Sequence, residues 1–347
     1  MFVKSFRVRD IMLDQIRHVE TNPVPYNFWY EEGIGASLDA YYGSASWRDS
    51  IVAFHSTPLV VDTLQEKRLD PIRVKDGFGG IWRVDRKPWH LETPPMGSRS
   101  FADYSFPAAG GFVDPVVERI SDAKDKIAAA PDSFHVIGMG WGLFEQTWRI
   151  RGFENALMDS VEDPRFYHGL MERLTDLYLA MIRACADVPA DAFFFGDDWG
   201  EQRGVILGPD RWRELIKPYW KIIYEEVHRQ GKFVISHCCG SVADIMPDLI
   251  EIGLDVLESV QPEARGMEPY ALKREWGEHM VFWGCLGNQS LIPFGTPETL
   301  RREIRNLRKK MGEGGGFILA PAKPIQAETP IENVVAILEA FLEFDTP

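Results

Sequence analysis

The chain has 347 residues, of which 45% are hydrophobic and 26% charged, and this length suits one large α/β barrel or two ordinary domains. Its 38 Lys and Arg residues against 52 Asp and Glu residues give a net charge of −14, which argues against nucleic acid and anionic membrane surfaces as partners. Its four cysteines are too few for a disulfide scaffold.

The N-terminal segment MFVKSFRVRDIMLDQIRH mixes charged and apolar side chains throughout. It therefore lacks the basic start and continuous apolar core of a secretory signal. No apolar run in the sequence approaches the length of about 20 residues that a membrane-spanning helix needs. We expect a soluble, cytoplasmic protein.

The first 130 residues are irregular and rich in aromatic residues, Gly and Pro. We interpret them as an N-terminal extension that also contains the first barrel strands, one of them near SIVAFHS (50–56). The remaining residues, 131–347, form the main βα repeats. The whole chain is then one domain.

Beyond residue 131, short apolar runs with β-branched or aromatic residues alternate with amphipathic stretches. The predicted strands are 134–139, 192–196, 232–236, 254–260, 280–284 and 316–320. The predicted helices include 169–188, 209–232 with a kink at Lys217-Pro218, and 297–316. Continuous apolar strands between helices indicate a parallel sheet covered on both faces. We predict an α/β fold, a single (β/α)8 TIM-type barrel in preference to a doubly wound sheet.

Polar residues follow the predicted strands, at the end of a parallel barrel where active sites lie. They are Glu145, Asp197, Asp198, His237, Cys238, Cys239, Gln261, Cys285, Asn288, Lys323 and Gln326. Because the carboxyl ends of all strands meet on one face of the barrel, we expect these side chains to line one site.

His237 and Cys239 are the sharpest element of this set. Two such residues at this spacing, leaving a strand, can point to the same side and bind one zinc ion through imidazole and thiolate. The alternative is that Cys239 packs in the barrel mouth and His237 makes an ordinary hydrogen bond, since two ligands do not make a site.

The acidic residues have two interpretations each. Asp197 and Asp198 are either a general acid/base pair, because one of two adjacent carboxylates can have a raised pKa, or a helix cap or cation site. Glu145 is either catalytic, a metal ligand or the ion-pair partner of a nearby arginine. Cys285 is either a further thiolate ligand or a core residue.

Aromatic and amide residues near the strand ends are expected to line an apolar substrate pocket. The predicted pocket residues are Trp141, Phe144, Trp199, Gln261, Trp283 and Asn288. The sequence contains neither a GxGxxG nor a GxxxxGK[ST] motif, so it shows no nucleotide-binding fingerprint.

Several segments carry a resemblance to a known family. The most specific are FFFGDDWGEQRG (193–204), SHCCGSVADIMPDLIEIGLDVLESVQPEA (236–264) and GGGFILAPAKPIQAETPIEN (314–333). Together with RVRDIMLDQIRH, DGFGGIWR and GLFEQTWRIRGFENALMDSVEDP, they resemble the uroporphyrinogen decarboxylase superfamily over nearly the whole chain. The chain looks closest to the superfamily's corrinoid-linked, zinc-dependent methyltransferases.

The resemblance to the decarboxylase itself is weaker at the substrate site. That enzyme grips a tetrapyrrole crowded with carboxylates through arginines in an N-terminal R-Q-A-G-R motif. The corresponding region here, NPVPYNFWYEEGIGASL (22–38), contains Glu31 and Glu32 and no arginine. With a net charge of −14, this argues against a polycarboxylate substrate.

The methyltransferase branch has a zinc site of the form His-x-Cys…Cys, whose first two members correspond to His237 and Cys239. The flanking residues align Lys323 with the third Cys, which is a departure because an ammonium group cannot bind zinc. The third ligand is then an oxygen atom or a second thiolate, or else the metal is absent. Glu145 or Asp197 would supply the oxygen, and Cys285 would supply the second thiolate. Without a metal, Lys323, Asp197 and His237 would carry out acid/base chemistry.

The resemblance implies a methyltransferase that moves a methyl group between a small apolar or aromatic donor (an ether, alcohol or thiol) and a corrinoid on a separate protein. Zinc would act as a Lewis acid, and Asp197 or Asp198 would position or protonate the substrate. One alternative is a cofactor-free decarboxylase or lyase in which Lys323 grips a small carboxylate. The other is a non-catalytic partner of a corrinoid protein. Dimers are usual in the resembled family, and the sequence leaves the oligomeric state open, with a homodimer as one alternative.

Overall fold

The structure, a computed structural model, describes residues 7–343. The beginning of the segment tested for a secretory signal, residues 1–6, lies outside the described residues. The strands are β1 His55–Val60, β2 Lys67–Arg68, β3 Arg73–Lys75, β4 Ile81–Arg83, β5 His90–Thr93, β6 Phe134–Trp141, β7 Ala192–Gly196, β8 Gly200–Glu201, β9 Gly204–Val205, β10 Phe233–His237, β11 Val256–Val260, β12 Val281–Leu286 and β13 Phe317–Pro321.

The helices lie between and around these strands. They are α1 Val8–Ile16, α2 Glu32–Tyr42, α3 Gly110–Val117, α4 Ile120–Ala129, α5 Leu143–Arg151, α6 Phe153–Glu162, α7 Pro164–Ala184, α8 Pro209–Leu215, α9 Lys217–Arg229, α10 Met246–Glu251, α11 Pro269–Trp276, α12 Leu291–Phe294, α13 Pro297–Gly312 and α14 Ile331–Leu342. Short 3₁₀ helices span Ser46–Ser50 and Ala243–Ile245.

Seven of the strands form one curled parallel sheet in the order β1-β6-β7-β10-β11-β12-β13. At the β13 edge an extended segment takes the next position, because Tyr26 bridges Leu319 in parallel and the backbone N–H of Asn27 donates to the carbonyl of Leu319 at 2.8 Å. The architecture is that of a TIM-type barrel, which confirms the predicted fold class.

The six strands predicted beyond residue 131 all form, each within two residues of its predicted limits. The strand expected at 50–56 begins later, at His55, because Ile51, Val52 and Phe54 pack against the core without joining the sheet. The helix predicted over 209–232 is two helices, since Pro218 in the first turn of α9 starts a new helix.

Helices cover the outer face of the barrel, and their apolar residues pack against the side chains of the strands. Phe193 and Phe195 of β7 are fully buried, and the ring of Phe195 lies 5.2 Å from that of Trp220 on α9. Leu170 and Leu174 bury the predicted stripe of α7. This layer fixes the strands whose carboxyl ends carry the predicted polar residues.

The connection from β1 to β6 contains a separate four-stranded antiparallel sheet in the order β2-β3-β4-β5. It leaves the barrel at the carboxyl end of β1, on the same side as the ends of the other strands. The irregular, aromatic-rich N-terminal extension therefore contributes to the face of the barrel at which the carboxyl ends of the strands lie.

Among the helices formed by residues 7–343, none combines the length and the apolar composition that a membrane crossing requires.

Candidate metal centre and adjoining cavities

His237 ends β10 and points into the barrel, where its ring is held by a carboxylate on the next strand. Glu258 of β11 is in register with His237, and the Nδ1–H of His237 donates to Oε2 of Glu258. The Nε2 atom lies 3.6 Å from Oδ1 of Asp198. A carboxylate on one ring nitrogen is the usual means of orienting a histidine so that its other nitrogen binds a metal.

Asp198, His237 and Cys239 form a group with metal-ligand geometry. One ligand atom from each lies within 4.8 Å of the others. The backbone N–H of Cys239 also donates to Oδ1 of Asp198 at 2.9 Å, which ties the turn after β10 to the turn after β7. The structure thus brings the predicted His237 and Cys239 together and adds Asp198 as their oxygen partner.

Gly240 allows the turn that presents Cys239. Its φ is +88°, and a Cβ atom there would lie 2.7 Å from the carbonyl carbon of Gly200. The N–H of Ser241 donates to the carbonyl of Glu201 at 2.8 Å across the same contact. Only glycine combines this backbone conformation with this close approach.

Asp197 is fully buried, and its side chain points in a different direction from that of Asp198. Its carboxylate accepts hydrogen bonds from four N–H groups. The donors are the backbone of Phe144 at 3.1 Å and Glu145 at 2.9 Å, and the indoles of Trp199 at 2.7 Å and Trp220 at 2.9 Å. Asp197 therefore anchors the start of α5, while its neighbour faces the metal-ligand group.

Glu145 is buried in the first turn of α5 and keeps a proton at neutral pH. Burial raises the pKa of Glu145 to about 9, and the carboxylates of Asp197 and Asp198 add to this. Burial also raises the pKa of Asp197 to about 7, but its four donors stabilise the ionised form. The shared proton of this pair is therefore on Glu145.

Glu145 lines a small cleft of about 270 Å³ beside the metal-ligand group. The other side chains of this cleft are Trp141, Phe194, Asp198 and His237. Aromatic rings thus face a protonated carboxyl and two potential metal ligands across a space suited to a small apolar group.

A larger cavity of about 940 Å³ lies on the other side of Cys239. Lys323, Gln261 and Asn288 line it together with Cys239. Burial opposes the charge of Lys323, but Cys239 and Asp198 outweigh burial and raise its pKa. The ammonium group of Lys323 therefore stays charged and contacts the Cys239 side chain.

The remaining predicted pocket residues divide into two groups. Phe144 and Trp199 are buried behind the site, where both donate to Asp197. Trp283 lies on β12 in register with Glu258, and its buried indole N–H has no partner among the described residues. The buried amide of Gln261 likewise has an unpartnered Nε2. Gln261 lines the larger cavity, so its amide can donate to a ligand bound there.

Cys285 lies away from the metal-ligand group. It is buried, with a φ of +72°, and lines a separate surface cavity of about 550 Å³ with Tyr270 and Phe294. Burial raises the pKa of its thiol well above the ordinary value. The structure does not bring Cys285 or Glu145 into the group formed by Asp198, His237 and Cys239.

Glu258 and Phe194 are site residues that the sequence reasoning missed. The sequence did contain a signal for Glu258, because it is a charged residue inside the apolar run LDVLESV. In the structure its side chain is only 3% exposed. A buried charge in a strand requires a partner, and His237 is that partner. Phe194 gave no distinguishing signal within AFFFG.

The fold and these residues define a TIM-barrel protein with a potential metal site at the carboxyl ends of its strands. The sequence profile of the uroporphyrinogen decarboxylase (URO-D) family matches residues 81–344. The chain belongs to this family.

Individual relatives include both decarboxylases and a methyltransferase. The uroporphyrinogen decarboxylase of Thermus thermophilus is 29% identical over 181 residues, covering 51% of this chain and 48% of the relative. The methylcobamide:CoM methyltransferase MtaA of Methanosarcina barkeri is 22% identical over 232 residues, covering 66% and 63%. The chain spans about half the length of the first decarboxylases it matches, such as that of Coxiella burnetii at 49%.

A solved structure described as a methyltransferase from Methanosarcina mazei has the same fold. It superposes with a TM-score of 0.68 and 18% identity, covering 98% of this chain and 99% of that chain.

The proton on Glu145 predicts how stability depends on pH. The unfolded chain ionises Glu145 near its ordinary pKa of 4.5, whereas the folded chain retains the proton to about 9. The free energy of unfolding therefore loses the Glu145 contribution as pH rises from about 4.5 to 9. In chelator-treated protein, we expect Glu145→Gln to gain stability relative to wild type as pH rises, measured by urea unfolding.

Glu154→Gln, at an exposed position on α6, is the matched control and should show no such trend. An equal pH trend in both variants, or in neither, would contradict a protonated Glu145.

Proposed function

We propose that this protein is a zinc-assisted methyltransferase, with the metal held by His237, Cys239 and Asp198. The observation that carries the proposal is that these three ligand atoms lie within 4.8 Å of one another at the mouth of the barrel. Imidazole nitrogen, thiolate sulfur and carboxylate oxygen are a donor set that zinc accepts, and three protein ligands leave a fourth position for substrate.

The charges around the group favour a divalent cation. Asp198, Glu258 and a thiolate at Cys239 are three negative groups, and Lys323 supplies one positive charge. With a neutral His237, a doubly charged ion brings this set to neutrality. Without a metal, burial opposes the charge of His237, but Glu258 and Asp198 outweigh burial and raise its pKa well above the ordinary value, so a proton on the imidazole balances part of the same charge. Asp198 thus replaces the third cysteine as a ligand, and Lys323 compensates charge instead of binding metal.

Bound zinc would supply a Lewis acid for the oxygen or sulfur atom of the methyl donor. Trp141 and Phe194 would hold the apolar body of the donor in the small cleft, with its methyl group directed out of the cleft. Glu145 holds its proton at this wall and would give it to the leaving oxygen. Asp197 keeps α5, and with it Glu145, in place.

The methyl acceptor in this proposal is the cobalt(I) form of a corrinoid on a separate protein. The cobalt electron pair forms the new cobalt–carbon bond, and the carbon–oxygen bond breaks with its electron pair on the oxygen. That oxygen then takes the proton from Glu145. The acceptor would approach through the larger cavity, which opens beside Cys239.

Decarboxylation of a small carboxylate is the second candidate function. Lys323 and the unpartnered Nε2 of Gln261 line the same cavity and can together bind one carboxylate. Release of carbon dioxide that is insensitive to chelators, without methyl transfer, would favour this function over the first.

The zinc site predicts a specific pattern of metal content. Purified wild type should carry about one zinc ion per chain, and His237→Ala, Cys239→Ser and Asp198→Asn should each lose most of it, because each removes one of only three ligands. The measurement is plasma mass spectrometry of zinc after dialysis, with circular dichroism to confirm folding.

Cys285→Ala is the matched cysteine control and should retain zinc, because Cys285 lies outside the ligand group. Loss of zinc from Cys285→Ala together with retention by Asp198→Asn would overturn this ligand assignment.

Restoring a cysteine at position 323 should strengthen the site. Lys323→Cys adds a thiolate next to Cys239 and removes a competing positive charge, so the zinc dissociation constant should fall by at least about tenfold. Lys323→Met removes the charge without adding a ligand and should give a smaller change. Competition with a chromophoric chelator measures all three proteins, and equal affinity of the Cys and Met variants would show that position 323 does not face the metal.

The activity itself is measured with free cob(I)alamin as acceptor and a methoxyarene as donor. Wild type should form methylcobalamin, detected by its absorption, and chelator-treated protein should not until zinc is returned. Glu145→Gln should slow the reaction by about 10²-fold or more with the metal content unchanged, since it removes the proton donor. Methyl transfer that persists without zinc would refute the proposed chemistry.

A further inference from the structure

The small sheet β2–β5 is strongly basic within an acidic chain. Residues 67–93, which include all four strands, contain seven Lys or Arg residues against three Asp residues and Glu92, a net charge of +3, whereas the whole chain has a net charge of −14. Two of those three aspartates are neutralised locally, since Asp70 pairs with Arg73 at 2.7 Å and Asp85 pairs with Arg83 at 2.9 Å. The sheet is therefore a positive surface on a negative protein.

One end of this sheet also exposes large apolar side chains. The β2–β3 turn and the β4–β5 turn lie side by side there, because the N–H of Val84 donates to the carbonyl of Ile72 at 2.8 Å. Leu69 and Trp89 are about half exposed, at 51% and 50%, and Ile72 is 41% exposed. We call residues 68–72 and 84–89 the basic tip.

The basic tip carries cations without ion-pair partners. Within residues 7–343, no carboxylate oxygen lies within 4.0 Å of the charged nitrogens of Arg86 or Lys87, and both side chains are exposed. Exposed Trp and aliphatic side chains among unpaired cations are the composition of protein-binding sites, where aromatic anchors provide affinity and charge provides steering.

The sheet contacts the wall of the small cleft through Trp82. The ring of Trp82 on β4 lies 6.1 Å from that of Trp148 on α5, and Trp148 lies 5.9 Å from Trp141. The guanidinium of Arg149 lies 4.0 Å above the Trp82 ring and 4.8 Å from the Trp141 ring. Because Trp141 lines the cleft, these contacts attach the sheet to the rim of the site.

We propose that the basic tip docks an acidic protein that carries the methyl acceptor, and so places that carrier over the mouth of the barrel. The inference rests on the proposed methyl transfer for the identity of the carrier. Charge complementarity favours an acidic partner, and the continuity of the sheet with the cleft wall places that partner at the site. The remainder of this chain is acidic, so the surface around the tip repels an acidic carrier except at the tip itself.

The test is binding of an acidic corrinoid carrier protein encoded in the same genome, loaded with methylcobalamin, to the full-length chain. Isothermal titration calorimetry with Arg86→Glu/Lys87→Glu should give a dissociation constant about tenfold or more higher than wild type. Raising the salt concentration should weaken wild-type binding and leave the variant almost unaffected. Lys124→Glu/Lys126→Glu, which makes the same charge change at exposed positions of α4, should bind like wild type.

Methyl transfer to free cob(I)alamin, measured on the same proteins, separates this inference from the proposed function. Arg86→Glu/Lys87→Glu should transfer methyl groups to free cob(I)alamin at the wild-type rate, since the tip does not contact the reacting atoms. If wild type binds the carrier but transfers no methyl group to any acceptor, the proposed function is wrong and the docking surface is still supported. Equal carrier binding by wild type and both double variants, absence of carrier binding, or preferential binding of an RNA oligonucleotide by the tip would overturn the docking proposal.

Discussion

The buried carboxylate of Asp197 is the constraint on which the geometry of the site depends. It receives four N–H donors from α5, α9 and the turn after β7, and no water is needed to satisfy it. With Asp197 held in this way, the following residue, Asp198, is directed toward His237. The hydrogen bond from Cys239 then joins the turns after β7 and β10. One buried charge thus organises two strand ends that are far apart in sequence.

The same buried charge determines the protonation of its neighbours. Burial of a second carboxyl group beside the Asp197 carboxylate costs little free energy only if that group is neutral. Glu145 is the group that keeps the proton, because it lacks the four N–H donors that stabilise ionised Asp197. On the other side of Asp198, the negative groups converge on a position where a cation is favourable. A protonated carboxyl group and a potential cation site therefore lie side by side in one cluster of acids. Which acid takes which state depends on which carboxylates receive hydrogen bonds from the protein.

Much of this arrangement could be predicted from the sequence because it depends on short-range patterns. The apolar runs predict six strands, and the rule that parallel strands carry polar residues to one end of a barrel predicts that His237, Cys239 and Lys323 lie near one another, as they do in the structure. Which of Asp197 and Asp198 lies beside His237 and Cys239 could not be predicted, because it depends on Trp220, which is 23 positions away from Asp197 on another helix. Spacing along the chain contains no information about that donor.

The sequence by itself determined the βα alternation, the His-x-Cys pair and the shortage of cationic groups for a polycarboxylate substrate, since each is a matter of residue type and period. Only the tertiary structure decided that Lys323 meets Cys239, that Glu258 orients His237 and that Cys285 faces a different cavity. The physical reason is that alternation assigns a side chain to one face of a strand only while the strand lasts. Beyond the last hydrogen-bonded residue, direction is set by packing and hydrogen bonds from distant parts of the chain, and the functional groups of this barrel lie at or just beyond that limit.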